Sequence, residues 1–231
     1  MEIMMTTIMF LLISMLEWFA LILLTFAIYR FQIRDYTLQI ITTTFLLSML
    51  SYLIMVTFKL QVLATLVQPI VVFLFFWSLF KVPIYYAGLC VVNGYLGYCV
   101  IQSIIFYVFS RFGTSIAPAT PLTFIAQTVT AITVFLVVLL ATRYRLGFSF
   151  VEQSEVTKIR LRGTNLKLLI LTLAGYAVLS SFNFIYYLDN YKIIMVLLMF
   201  SAFAIIQYWT FQKEYESSHW HRARTEMRKN N

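Results

Sequence analysis

Histidine and cysteine are nearly missing from this 231-residue chain, which has two of each, and most routes to metal or nucleophilic chemistry go with them. His219 and His221 stand two residues apart and point to different faces of a helix, whereas a helical metal pair needs a spacing of three or four. No HExxH, GxSxG or P-loop pattern occurs, and no histidine lies in the apolar part of the chain to act as a base for a cysteine or serine. Cys90 and Cys99 fall nine residues apart on one predicted helix, on roughly opposite faces, so they share neither a disulfide nor a metal. A retinal-type Schiff base would need a lysine inside the last span, and Lys192 lies at its end. The expectation is a protein that is not an enzyme and holds no cofactor or metal.

Charge is also scarce. Charged residues make up 11% of the chain against 61% hydrophobic ones, and mean hydropathy is +0.86. A water-facing globule of this size cannot bury so much apolar surface, so the solvent must be a bilayer. Apolar segments at about 5–29, 38–56, 62–80, 84–109, 122–142, 166–188 and 193–211 each approach the roughly 20 residues that cross a hydrocarbon core of about 30 Å. The predicted fold is therefore all-α, a seven-helix membrane domain over 1–211 followed by a charged tail over 212–231. The first segment carries Glu2 in place of a basic leader and no small-residue cleavage site, so it reads as a retained anchor.

Cations are distributed unevenly around these spans. Alternate connections and the tail carry Arg30, Arg34, Lys81, Arg143, Arg145, Lys158, Arg160, Arg162, Lys167, Lys213, Arg222, Arg224, Arg228 and Lys229, whereas the other side has Lys59, Arg111 and Lys192. By the positive-inside rule the N-terminus is expected outside and the C-terminus in the cytoplasm, in a cell membrane. The net charge of +8 then faces the anionic cytoplasmic leaflet, and no nucleic-acid motif competes with that partner. Turns at 57–61, 81–83 and 189–192 predict antiparallel neighbours. The outer loop SRFGTSIAPATP, with its glycine and prolines, reads as a turn that could contact an extracellular ligand or peptide.

The long basic loop at 143–165 places Phe148 and Phe150 between cations, a mixture expected to rest at the headgroup boundary. Its Arg143, Arg145, Lys158, Arg160 and Arg162 are candidates for docking lipid or a cytoplasmic signalling protein. Alternation of charged and apolar residues over 158–162 leaves a short strand open. The tail lacks Gly and Pro and reads as a helical continuation of the last span.

Glu17 is the most conspicuous single residue. A carboxylate mid-span costs about 2.5–3.5 kcal/mol to insert, so it should face the bundle interior, either hydrogen-bonded or protonated. It is a candidate proton site or counter-charge for a cationic ligand, against a plain hydrogen bond to a neighbouring Ser or Thr. Gln68, Asn93, Gln102, Asn183 and Gln207 are further polar groups at membrane depth, candidates for lining a polar cavity with Glu17. Gln68 next to Pro69 is expected to open the third helix locally. In the fourth span Ala87, Cys90, Asn93, Gly94 and Gly97 share a face of small side chains suited to close helix packing.

With its N-out arrangement of short-looped helices, its charged cytoplasmic helix and its LEWFALILLTFAIYRF texture, the stretch from about residue 1 to 215 resembles the membrane sensor region of peptide-pheromone receptor histidine kinases of the accessory-gene-regulator type. The resemblance is one of architecture, with no specific motif matched. That family continues into a phosphoacceptor histidine and an ATP-binding domain, and HWHRARTEMRKNN is not such a phosphoacceptor box. The resemblance implies a receptor or accessory subunit that lacks its own kinase and signals through a partner. The competing readings are a small transporter, channel or ligand-binding subunit built on Glu17, and a structural subunit of a membrane complex.

Overall fold

Long apolar runs separated by short polar turns fold, in the computed structural model, into seven α-helices among the described residues: α1 (Glu2–Ile28), α2 (Thr37–Tyr52), α3 (Gln61–Ser78), α4 (Ile84–Arg111), α5 (Pro121–Arg143), α6 (Thr164–Tyr186) and α7 (Lys192–Lys229). The structure describes residues 2–111, 121–151, 163–186 and 192–229. Among these residues five helical stretches are long and apolar enough to cross a membrane: Thr7–Ile28, Ile33–Thr57, Ile84–Phe109, Leu122–Arg143 and Thr164–Ser181. α3 adds a shorter apolar helix, Leu63–Ser78. The architecture is all-α and compatible with a multi-pass membrane protein.

α4 is the central helix. It packs against α1, α3, α5, α6 and α7, while α2 flanks α1 and α3. The small residues of its sequence make this possible: Ala87, Cys90 and Asn93 are fully buried, Gly94 lies against Thr25 of α1, and Gly97 lies against Phe203 of α7 and Leu24 of α1. With no Cβ at those two points the three helix backbones approach closely, which is how helices associate where lipid removes the hydrophobic incentive.

Pro69 does not break α3, which runs continuously from Gln61 to Ser78. In the turn before it, the Leu66 carbonyl accepts a 2.9 Å hydrogen bond from the Tyr176 hydroxyl of α6. Pro69 lacks the N–H that would serve the Thr65 carbonyl, one residue earlier, and the Tyr176 bond ties α6 to this turn; the expected local opening does not interrupt the helix.

The ends of α1, α3 and α5 and the starts of α2, α4 and α6 gather at one end of the bundle. Phe26 lies edge-on to Phe31, Tyr36, Phe76 and Phe80, and the Tyr85 hydroxyl at the start of α4 donates to the Asn165 carbonyl at the start of α6 (2.7 Å). Arg30, Lys81 and Arg145, which follow α1, α3 and α5, all adopt positive φ (48°, 52° and 50°). At Arg30 and Arg145 the Schellman pattern is complete, with Phe31 N–H bonding Phe26 O and Leu146 N–H bonding Ala141 O. Glycine ordinarily fills this position. A cation costs more in backbone strain but sits where the helix dipole is negative and where the sequence places its basic flank. Replacing Arg30 or Arg145 by Gly is therefore expected to raise stability in micelles by about 0.5–1 kcal/mol, as read by denaturant titration, while weakening the charge asymmetry.

Candidate functional site

Among the described residues, the polar side chains singled out from the sequence belong to three separate hydrogen-bonded groups, and of them only Gln102 bonds Glu17. The first centres on Glu17 of α1. Its Oε1 accepts from the Tyr98 hydroxyl at 3.2 Å and from Gln102 Nε2 at 3.5 Å, and its Oε2 accepts from Gln127 Nε2 at 3.2 Å. Tyr98 and Gln102 are four apart on α4 and so share a face, while Gln127 comes from α5. The expected Ser or Thr partner is replaced by a phenol and two amides. Glu17, Gln102 and Gln127 are half-buried and Tyr98 is buried.

The second group joins α1, α4 and α7. Asn93 donates from Nδ2 to the Tyr29 hydroxyl (3.0 Å) and accepts at Oδ1 from Gln207 Nε2 (3.1 Å). Both functions of the one amide are used, and Asn93 and Tyr29 are essentially inaccessible. The third group joins α1, α2 and α3: the Trp18 indole N–H and Gln68 Nε2 both donate to Ser51 Oγ, at 2.9 and 3.0 Å. Ser51 in turn donates to the Leu47 carbonyl. Gln68 is thereby satisfied by protein, and each group pins three helices together.

A fourth arrangement lies at the basic end, where the chain leaves α5. Phe150 is buried and Phe148 half-buried, both packed against the core of the bundle. Phe150 is 8% exposed, and its ring packs edge-on to Tyr29 and Tyr86. The driving force is an aromatic pocket already formed by the ends of α1 and α4, which covers these rings more completely than a headgroup layer would. Gly147 permits the turn: its φ is +128°, and a Cβ there would stand 2.6 Å from Ala27 O and 2.7 Å from Ile28 O. Phe148 N–H donates to Ile28 O at 2.7 Å. Glu214 of α7 then closes over the loop, its carboxylate accepting from Ser149 N–H (2.9 Å), Ser149 Oγ (2.6 Å) and Phe150 N–H (3.0 Å). Beside this clasp the Thr164 hydroxyl donates to Glu216 (2.5 Å), and Lys167 Nζ lies 4.1 Å above the Trp209 ring. Gly147→Ala is expected to release the loop and to speed hydrogen exchange at the Phe148 amide at least about tenfold, the equivalent of about 1.4 kcal/mol.

Arg143 and Arg145 are exposed beside the clasp. Lys158, Arg160, Arg162, the side chains of Asn183, His219 and His221, and most of the SRFGTSIAPATP loop lie outside the described residues. Sequence reasoning passed over Tyr29, Tyr98, Gln127, Ser51, Ser149 and Glu214. Of these, Gln127 carried a signal, as an amide in the middle of an apolar span. Glu214 and Ser149 carried none, because their roles exist only once α7 and the loop meet. No protein-family model, no curated protein and no solved structure matches the chain, so its functional reading rests on these residues themselves.

Proposed function

We propose that the chain is a receptor or accessory subunit of the cell membrane that has no kinase domain of its own in these residues and signals through a cytoplasmic partner. In this reading all seven helices span the bilayer, the N-terminus is outside, and the basic end with the tail of α7 faces the cytoplasm. The observation that supports it is the course of α7. This helix is continuous over 38 residues, which at 1.5 Å per residue is about 57 Å, nearly twice a hydrocarbon core. One helix therefore runs from the Gln207–Asn93–Tyr29 contact in the interior to the Glu214 clasp and on beyond the bundle.

A ligand that shifts α1 or α4 would act on Tyr29 or Asn93, hence on α7, and the clasp would hand that movement to the basic loop. Arg143, Arg145 and the loop cations Lys158, Arg160 and Arg162 would present an electropositive surface to an acidic partner or to anionic lipid. The accessory-gene-regulator-type resemblance accords with this arrangement, since it too joins a membrane sensor to a cytoplasmic helix.

The test is affinity purification from native membranes in mild detergent, with mass spectrometry of everything retained, peptides included. A stoichiometric kinase, regulator or secreted peptide supports the reading, and a lone protein contradicts it. In the same assay Glu214→Ala, which removes three hydrogen bonds but no interior contact, is expected to lower partner recovery several-fold while leaving the protein's yield unchanged.

A further inference from the structure

We propose that the Glu17 cluster is a reversible proton-binding site, taking its proton from water at the end of the bundle opposite the basic one and returning it there. The cluster stands apart from the clasp, and the inference does not depend on partner docking.

Its composition argues for this. Among the described residues no cation pairs with Glu17, yet three donors from two other helices are aimed at its two oxygens. Every one of those donors is neutral and two-sided, since a phenol hydroxyl and a primary amide each donate and accept. With Glu17 ionised, all three donate to it. With Glu17 protonated, the new O–H needs one acceptor, which the Tyr98 oxygen or the carbonyl of a turned Gln102 or Gln127 amide provides by rotation about a single bond. In neither state is the carboxyl itself left without a partner, and this distinguishes a proton site from a carboxylate fixed by an arginine. The contacts, at 3.2 to 3.5 Å, are also longer than the about 2.7–2.9 Å of charge-assisted bonds that would lock the anion. An alkali ion or an amine would first have to displace those donors from the oxygens, whereas a proton need not.

Position supplies the route. Gln127 is five residues into the apolar stretch that starts at Leu122, Gln102 is seven residues short of Phe109 and Glu17 is ten residues past Thr7, so the site lies roughly 8–15 Å inside that end. On all three helices this end is nearer to the site than the basic end is, so it is the shorter path for a proton. The titratable groups facing the carboxylate are Tyr98 and Cys99 of α4, and α5 contributes the neutral Gln127. Ionised Glu17 draws α4 and α5 toward α1, whereas protonated Glu17 releases at least one donor, so proton uptake loosens the contact among these three helices. No electron or leaving group is involved.

The test uses the full chain in lipid nanodiscs and infrared difference spectra between acidic and alkaline buffer. Expected in the wild type is a carboxylic-acid carbonyl band that moves down in deuterated buffer and is lost in Glu17→Gln. In Gln127→Leu the band should persist but shift, because the carboxyl has lost one of its hydrogen-bonding neighbours. Identical difference spectra for wild type and Glu17→Gln would overturn the proposal. So would a band that sodium removes at constant pH, which would make the site one for an alkali cation. If Glu17→Gln fails to fold, Gln127→Leu decides, and an unmoved band there counts against the proposal.

Discussion

Gly94→Val is expected to cost the bundle at least about 3 kcal/mol and to leave little folded protein in a membrane extract. Position 94 is a close contact of α4 with α1: an added Cβ would collide with Thr25 Oγ1 and stand 3.0 Å from Thr25 Cβ. The hydroxyl could rotate away, at the loss of its bond to Leu21 O, but the Cβ moves only with the α1 backbone. Overpacking of this kind costs about 1–3 kcal/mol for small additions, so Gly94→Ala belongs in that range and the branched side chain above it. Gly88 is the control. Its added Cβ would meet Thr172 at 3.8 Å and Phe73 at 3.9 Å, an ordinary contact, so Gly88→Ala should be neutral or stabilise by up to about 1 kcal/mol through helix propensity. Unfolding in mixed micelles, followed by circular dichroism, distinguishes the two, and pairing Gly94→Ala with Thr25→Ala should recover part of the loss.

Phe26→Ala is expected to be the most damaging truncation, at about 3 kcal/mol. The ring is fully buried and sits at the centre of aromatic contacts with Phe31, Tyr36, Phe76 and Phe80, so it ties α1, the start of α2 and the end of α3 together. Buried Phe→Ala changes commonly cost about 3–5 kcal/mol. The lower end applies here, because much of the gain comes from packing and edge-to-face geometry and less from removal from water. Phe45→Ala offers the contrast: Phe45 is 46% exposed on α2, and its loss should change stability by no more than about 0.5 kcal/mol. The same cavity should be felt at the clasp, since Phe31 of the damaged cluster stacks on Tyr29, against which Phe148 and Phe150 close. Faster exchange at the Phe150 amide would report it.

Hydropathy and charge made the helices legible, because a chain that must satisfy every backbone group in lipid announces its spans as apolar runs. The small-residue face of α4 was legible for a related reason, since close approach demands Gly and Ala at helical spacing. Which helices meet on that face was not, because the pairing of Gly94 with Thr25 and of Gly97 with Phe203 depends on three-dimensional neighbours that no local pattern encodes. Glu17 stood out as a carboxylate in an apolar run. Its partners did not, because Tyr98 and Gln127 resemble any tyrosine or glutamine in a membrane helix until three helices converge. Phe148 and Phe150 were misread for an instructive reason. Aromatics among cations fit a headgroup layer, and only the positive φ of Gly147 and the aromatic pocket at the ends of α1 and α4 turn them inward.

Everything claimed for the basic end depends on its facing the cytoplasm, and cysteine accessibility tests that directly. Cys90 is buried and Cys99 half-buried, so the background labelling is low. Gln32→Cys and Tyr144→Cys report the basic end, and Phe58→Cys, at an exposed position after α2, reports the other. None of these changes alters a charge. An impermeant maleimide should label Phe58→Cys in intact cells and the other two only after permeabilisation. Labelling of Tyr144→Cys in intact cells would contradict the account, because it would put the clasp, the basic loop and the end of α7 on the side where no cytoplasmic partner could reach them.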